Sequence, residues 1–316
     1  MTSREEFLHA PERSLAQKIL GPLHVTGVFW YRFHRFGVRI LPDALVGPVI
    51  FLFTSFFFLS LIKIRAAVAS NLSSVLGPCG FWERQRRIWR TLHTFAWCLS
   101  ERFERLVTDR AFEISIENEA FWEEITGSGD GFVMATAHIG NYEVGSMLPS
   151  TEEQRRVHLV REPEGNAEAQ AFVQRLLDDQ PGSDRYSWHF QSMNPLHALP
   201  LVHALKAGEV VAVQGDRPRT GARVVQSRLF GKEFELPAGP STLARTAEVK
   251  ILPVFVLRTG RRRYRLVFRE PFSVEKTADR GADLKRGADQ LADHIEWAIR
   301  SEPHQWFCFR SLWPEL

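Results

Sequence analysis

Residues 44–62 (ALVGPVIFLFTSFFFLSLI) run without a single charge, and no other stretch limits what this chain can fold into so tightly. About 20 apolar residues cross a bilayer, so the run is long enough to span one or to lie deep in one leaflet. A buried core helix can have the same composition, but the length favours a membrane anchor. Arg32, Arg35 and Arg39 precede the run and Lys63 and Arg65 follow it. Basic residues on both flanks leave its orientation open and suit a helix pair or re-entrant anchor as well as a clean span. The run starts too far from Met1, with no small-residue cleavage site close behind, to read as a signal peptide.

The region around it, residues 1–110, reads as helical. Residues 81–106 (FWERQRRIWRTLHTFAWCLSERFERL) place apolar side chains at helical spacing with Arg84, Arg86, Arg87 and Arg90 between them. Such a helix packs its apolar face on a folded body, or lies at a membrane surface with arginines among the headgroups. Beyond residue 110 the pattern changes to short strands alternating with helices. FEISIEN, FVMATA, RVHLVRE, EVVAVQGD, ILPVFVLRT and YRLVFREPF are the strand candidates, and ADLKRGADQLADHIEWAIRS is a long final helix. That alternation predicts an α/β sheet with helices on its faces. The three arginines at 261–263 read as a hairpin tip, either solvated or facing an acidic partner.

Composition removes several function classes. Net charge is only +3, and arginine supplies 33 of the 40 basic residues. Guanidinium forks suit phosphate and carboxylate recognition, although a GC-rich genome gives the same bias. Cys79, Cys98 and Cys308 are widely spaced, fit a reducing compartment, and support neither a disulfide framework nor a zinc site. The sequence has no metal-ligand spacing, phosphate-binding loop or Gly-x-Ser-x-Gly elbow. No metal, nucleotide or serine nucleophile is therefore expected, nor a nucleic-acid partner.

Residues 131–145 (GFVMATAHIGNYEVG) carry the chemistry. A His and an acid five positions apart mean little alone, since 11 histidines and 37 acids give about one such pair by chance. Context is what separates this pair. If His138 ends an apolar strand and Glu143 opens the next helix, the intervening turn can bring them together, although a locally satisfied His and an exposed Glu fit the same letters. Gly140 permits the tight turn, Asn141 can cap the helix, and free amides at the helix start can face a developing oxyanion. The carboxylate would hold the imidazole in one tautomer, and the free ring nitrogen would take a proton from an acceptor.

HIGNYE, residues 138–143, resembles the H-x4-D/E motif of the lysophospholipid acyltransferase superfamily, and more narrowly that of the bacterial lipid A biosynthesis late acyltransferases. The likeness extends along the chain. IRAAVASNL (64–72) resembles that family's Arg-x-Asn-Leu region, and Arg161 and Asn166 in VREPEGNAE its Arg and Asn segment. VVAVQGDRP resembles its strand ending in an aspartate. LFGKEFELPAGPSTLARTAEVKILPVFVLR (229–258) matches its order of Phe-Gly turn, Pro/Gly turn, helix and Val-Pro strand. PHQWFCFRSLW is similar to its Gln-Trp and aromatic terminus. Two places depart from the pattern. Gly215-Asp216-Arg217 stands where Asp-Gln-Asp is commoner, and residues 236–240 (LPAGP) lack the Glu of the glycerol-phosphate enzymes.

The resemblance implies a mixed sheet flanked by helices, glycerolipid acyltransferase-like, as a catalytic domain over residues 111–316. It also implies a helical, membrane-associating N-terminal region, 1–110, with its anchor at about 44–62. The implied activity is transfer of a fatty acyl chain from an acyl carrier protein or CoA thioester to a lipid or glycolipid acceptor, lipid A-type first. An amino-acid lipid, a mannoside lipid or a polyene is an alternative acceptor, and acyl-thioester hydrolysis an alternative reaction. His138 and Glu143 would be the catalytic pair. Gly140, Asn141, Arg161, Asn166, Asp216, Arg217 and Gly239 would bind substrate, with no cofactor beyond the acyl thioester. Arg161 and Arg217 could hold phosphates, or pair with Asp216 or Glu143 and organise the site. The expected place is the bacterial inner membrane, with the active site on the cytoplasmic side.

Overall fold

A computed structural model describes residues 33, 36–108, 110–142, 155–162, 170–171, 174–175, 185–190, 195–219 and 221–313. The uncharged run forms helix α1 (Asp43–Ser60), long and apolar enough to cross a membrane. Only Ile50 and Thr54 on it are buried, while Leu45, Phe51, Leu52, Phe56 and Leu59 are exposed. Helix α2 (Ile62–Leu76) follows after one residue, then α3 (Phe81–Val107).

Contacts along its length set α1 antiparallel against α3. The Phe51 ring lies 5.4 Å from Trp89, and Thr54 Oγ1 lies 3.2 Å from His93 Nδ1. Asp43, at the start of α1, pairs with Arg110 at 2.9 Å, Arg261 at 2.8 Å and Arg262 at 2.9 Å. The arginine tip is therefore not simply solvated. Arg261 and Arg262 pin the first turn of α1, and Arg262 also reaches Glu104 of α3 at 2.5 Å. The other face of α3 is buried through Ile88, Leu92, Cys98 and Phe103, so this amphipathic helix joins α1 to the rest of the chain.

The remaining elements build the sheet. Its strands are β1 (Glu113–Glu117), β2 (Phe132–Thr136), β3 (Val157–Arg161), β4 (Tyr186–Phe190), β5 (Val210–Gln214), β8 (Lys250–Gly260), β9 (Arg263–Phe268) and β10 (Phe272–Ser273). Their order is β1-β9-β8-β2-β5-β3-β4, with β10 also pairing β8. The β8–β9 and β8–β10 pairs are antiparallel and the others parallel, so the sheet is mixed, as expected. Strand β2 is central, and FVMAT lacks alternation because both faces are covered. Val133 and Ala135 pack toward α5 (Leu199–Lys206), α6 (Gly239–Ala247) and α7 (Arg280–Ser301). Phe132 and Met134 pack toward Trp122 and Ile125 of α4 (Glu119–Gly127).

Strands β6 (Val224–Leu229) and β7 (Lys232–Pro237) form a separate antiparallel ribbon. Its two-residue turn, Phe230 at φ 54° and Gly231 at φ 74°, has the positive φ pair that matches strand twist. Past α7 the chain turns back over the helical region. Asn71 of α2 donates to the carbonyls of Cys308 at 3.1 Å and Arg310 at 2.9 Å, and accepts from the Leu312 amide at 3.1 Å.

The turn at Pro303–Gln305 also meets α3, where His304 Nδ1 lies 3.3 Å from Thr91 Oγ1. Burial first, then the guanidiniums of Arg90, Arg86 and Arg87, push this imidazole from 6.5 down to about 4. The unfolded chain therefore binds the proton more readily, and stability falls as pH drops from about 6.5 toward 4. Thermal unfolding across that window should show the midpoint falling with pH in the native protein. In His304→Gln the slope should be shallower.

Candidate active site

The pairing of β2 with β5 decides where the functional side chains meet. The two strands run parallel with Thr136 opposite Gln214, and the Gly215 amide extends the ladder to the Thr136 carbonyl at 2.8 Å. His138 and Asp216 each lie two residues beyond that last pair, at the carboxyl ends of neighbouring strands, where ligands gather in such sheets. His138 Nδ1 is 2.7 Å from Asp216 Oδ1.

Asp216 is fully buried, and its second oxygen lies 3.4 Å from the Trp306 indole nitrogen. Burial works against its charge. The His138 ring, its hydrogen bonds and the Arg217 guanidinium outweigh that cost and hold the carboxyl well below the usual range. An ionised carboxylate can only accept, so Nδ1 carries a proton, and in the neutral ring Nε2 is the nitrogen with the lone pair. The His138 side chain is 14% exposed, so the ring is reachable while its partner is not.

The turn that carries His138 is fastened on both sides. The Phe307 amide donates to the His138 carbonyl at 2.9 Å, and the Gly140 amide to the Gln305 carbonyl at 2.9 Å. The Asn141 amide donates to Val256 of β8 at 3.0 Å. Gly140 has φ 59°, and a Cβ there would stand 1.9 Å from the Val256 carbonyl oxygen, so only glycine fits. These bonds correct one expectation: the Gly140 and Asn141 amides are consumed within the fold and do not face an oxyanion. The helix that Asn141 was expected to cap lies outside the described residues. The buried Asn141 side chain donates to the Cys98 carbonyl at 3.3 Å and to the Tyr264 hydroxyl at 2.9 Å. Tyr264 in turn donates to Glu101, which grips Arg258 through two bonds of 2.9 and 3.0 Å.

Arg217 donates to the Phe307 carbonyl at 3.1 Å and is largely buried beside Asp216, Cys308 and Tyr142, which places it within the site's own framework. The Tyr142 ring meets His138 edge-on at 4.9 Å. Arg161 ends β3, which pairs with β5 on the side away from β2, so it stands at the same carboxyl edge with its guanidinium 5.9 Å from the Trp188 ring centre. Gly239 opens α6 with free space where a Cβ would stand, and among the described residues no hydrogen bond brings it to His138 or Asp216. Glu143 and Asn166 lie outside the described residues. Sequence reasoning missed Trp306 as the second neighbour of Asp216 and Glu101 as the anchor of Tyr264. The signal for Glu101 was an acid aligned with the apolar stripe of α3, three positions from Cys98.

The family model of bacterial lipid A biosynthesis acyltransferases matches residues 17–315. The chain belongs to that family. It is an acyltransferase acting on lipids. Among solved structures, the 1-acyl-sn-glycerophosphate (LPA) acyltransferase PlsC from Thermotoga maritima is similar at 13% identity and a TM-score of 0.37, over 81% of this chain and 98% of its own. No curated protein matches the sequence.

Asp216→Asn keeps the shape but puts an amide where the Nδ1 proton needs an acceptor. Acyl transfer should fall on the order of 10²–10⁴-fold, with a folded protein by circular dichroism. Activity within about tenfold of native would mean that Asp216 does not set the ring.

Proposed function

We propose that this acyltransferase moves a fatty acyl chain from an acyl carrier protein or CoA thioester to a lipid or glycolipid acceptor, lipid A-type first, with His138 as general base. The 2.7 Å contact between His138 Nδ1 and Asp216 carries the reading, because it leaves Nε2 as the one ring nitrogen able to accept a proton. The acceptor hydroxyl or amine gives its proton to Nε2 as its oxygen or nitrogen bonds to the thioester carbon. The C–S bond then breaks, and the leaving thiolate recovers the proton from the imidazolium. Asp216 stabilises that imidazolium. No acyl-enzyme forms, since thioesters are already activated and positioning supplies much of the rate.

With the turn amides occupied, the oxyanion role is assigned to the Arg217 guanidinium beside Asp216. Arg161, at the same sheet edge, is assigned to the acceptor or donor phosphate. Glu143 keeps a supporting role in charging the ring. The catalytic part, residues 111–316, would work at the bacterial inner membrane on the cytoplasmic side, where acyl carrier protein and CoA are found. The three free thiols suit that compartment. Helix α1 would lie in one leaflet, since its flank is fastened along α3.

Labelled acyl-CoA or acyl carrier protein, incubated with lipid A precursor, tests this directly. Labelled lipid should appear only with acceptor, and His138→Ala should lower it on the order of 10²-fold or more. Glu143→Gln should cost less than Asp216→Asn, because Nδ1 already has its carboxylate. Release of free fatty acid at full rate without acceptor, or a covalent acyl-protein trapped by acid quench, would overturn the scheme.

A further inference from the structure

A cleft of about 510 Å³ opens between the first turns of α2 and the C-terminal segment, apart from the His138–Asp216 pair. Lys63 and Arg310 flank it, Ser70 and Ser311 bring hydroxyls, and Ala67 and Phe309 give it an apolar wall. No carboxylate lines it. Arg310 spends one N–H on the Pro218 carbonyl at 3.0 Å and has no acidic partner among the described residues, and Lys63 has none there either. Two exposed cations with no anion between them make a positive recess.

Its position narrows the ligand. Lys63 comes just after Leu59 near the end of α1 and Ile62 at the start of α2, which are 70% and 71% exposed. An apolar surface that ends at a cation marks the depth at which acyl chains give way to headgroups. The apolar wall beside the two charges is what a phosphate carried on a glyceride needs and a free phosphate does not. We propose that this cleft binds the phosphate of an anionic lipid, with Lys63 and Arg310 on the oxygens and the adjoining chain against Ala67 and Phe309. The segment that forms its floor continues to Trp306 beside Asp216, and Arg310 holds Pro218, two residues past Asp216.

The experiment is flotation of the full chain with phosphatidylcholine vesicles, with and without phosphatidic acid. Native protein should gain affinity from the anionic lipid. Lys63→Ala should lose about fivefold of that gain while binding pure phosphatidylcholine unchanged. Arg310→Gln provides the second arm, and the pair should lose less than the sum of the singles if both grip one phosphate. Arg84→Ala, removing an exposed charge outside the cleft, should have the smaller effect. An Arg84→Ala loss equal to that of Lys63→Ala would overturn the proposal in favour of diffuse surface charge. Inorganic phosphate that displaces the vesicles at concentrations matching lipid phosphate would reassign the cleft to a free anion and overturn the lipid reading.

Discussion

The parallel register of β2 and β5 is the constraint on which the reaction centre rests. With Thr136 opposite Gln214, the two residues beyond each strand fall side by side, and both chemistry-bearing side chains leave the sheet on one side. A slip of one residue would turn either side chain to the opposite face and separate them. The ladder alone cannot hold them, because past Gly215 no regular pairing continues. The C-terminal segment takes over, closing on the His138 and Gly140 backbone from one side while β8 closes on Asn141 from the other. Each such bond contributes only about 1 kcal/mol net, yet together they leave the turn no alternative path. The cost is that amides holding the turn are not free to stabilise an oxyanion.

Helix α3 connects this centre to the exposed apolar helix α1. Its outer flank receives α1, and its inner flank supplies the Cys98 carbonyl and the Glu101 carboxylate that, through Tyr264, fix Asn141. Glu101 and Arg258 are buried together, an arrangement that adds little net stability over an apolar pair but is strongly disruptive when one partner is lost. Burial, the Glu101 charge and its hydrogen bond push the Tyr264 hydroxyl well above its usual range, so it stays a donor toward that carboxylate. A tilt of α3 relative to the sheet would act first on Asn141, three residues from His138.

Those features written in local pattern were legible in the sequence. The uncharged run, the amphipathic 81–106 helix, the buried β2 and the final helix all follow from periodicity and length, and each stands close to its expected bounds. The strands YSWHF and VVQSRL escaped notice because one sits at a sheet edge and the other in a polar ribbon, where alternation is weak. His138 was legible from the strand that delivers it. Its contact with Asp216 was not, because 78 residues separate them and only the sheet order makes them neighbours. Asp216 read as a strand-end ligand residue, correct in place but silent about the ring it touches. The amides of Gly140 and Asn141 read as free because nothing local reveals that Gln305 and Val256 arrive to claim them.

The fastening of α1 bears on how the protein meets a bilayer. At 1.5 Å per residue its 18 residues extend about 27 Å, close to the thickness of the hydrocarbon layer. Standing upright, it would put Asp43 and its arginine partners at one surface and Lys63 at the other. The β8–β9 tip that supplies Arg261 and Arg262 would then lie a full bilayer away from the cleft, although α3 spans the same interval while packing on the sheet. The α/β body would have to be immersed with it, taking a sheet edge and many charges into hydrocarbon. Lying along the surface, the same helix buries Leu45, Leu52, Phe56 and Leu59 in one leaflet and keeps both charged ends at headgroup depth.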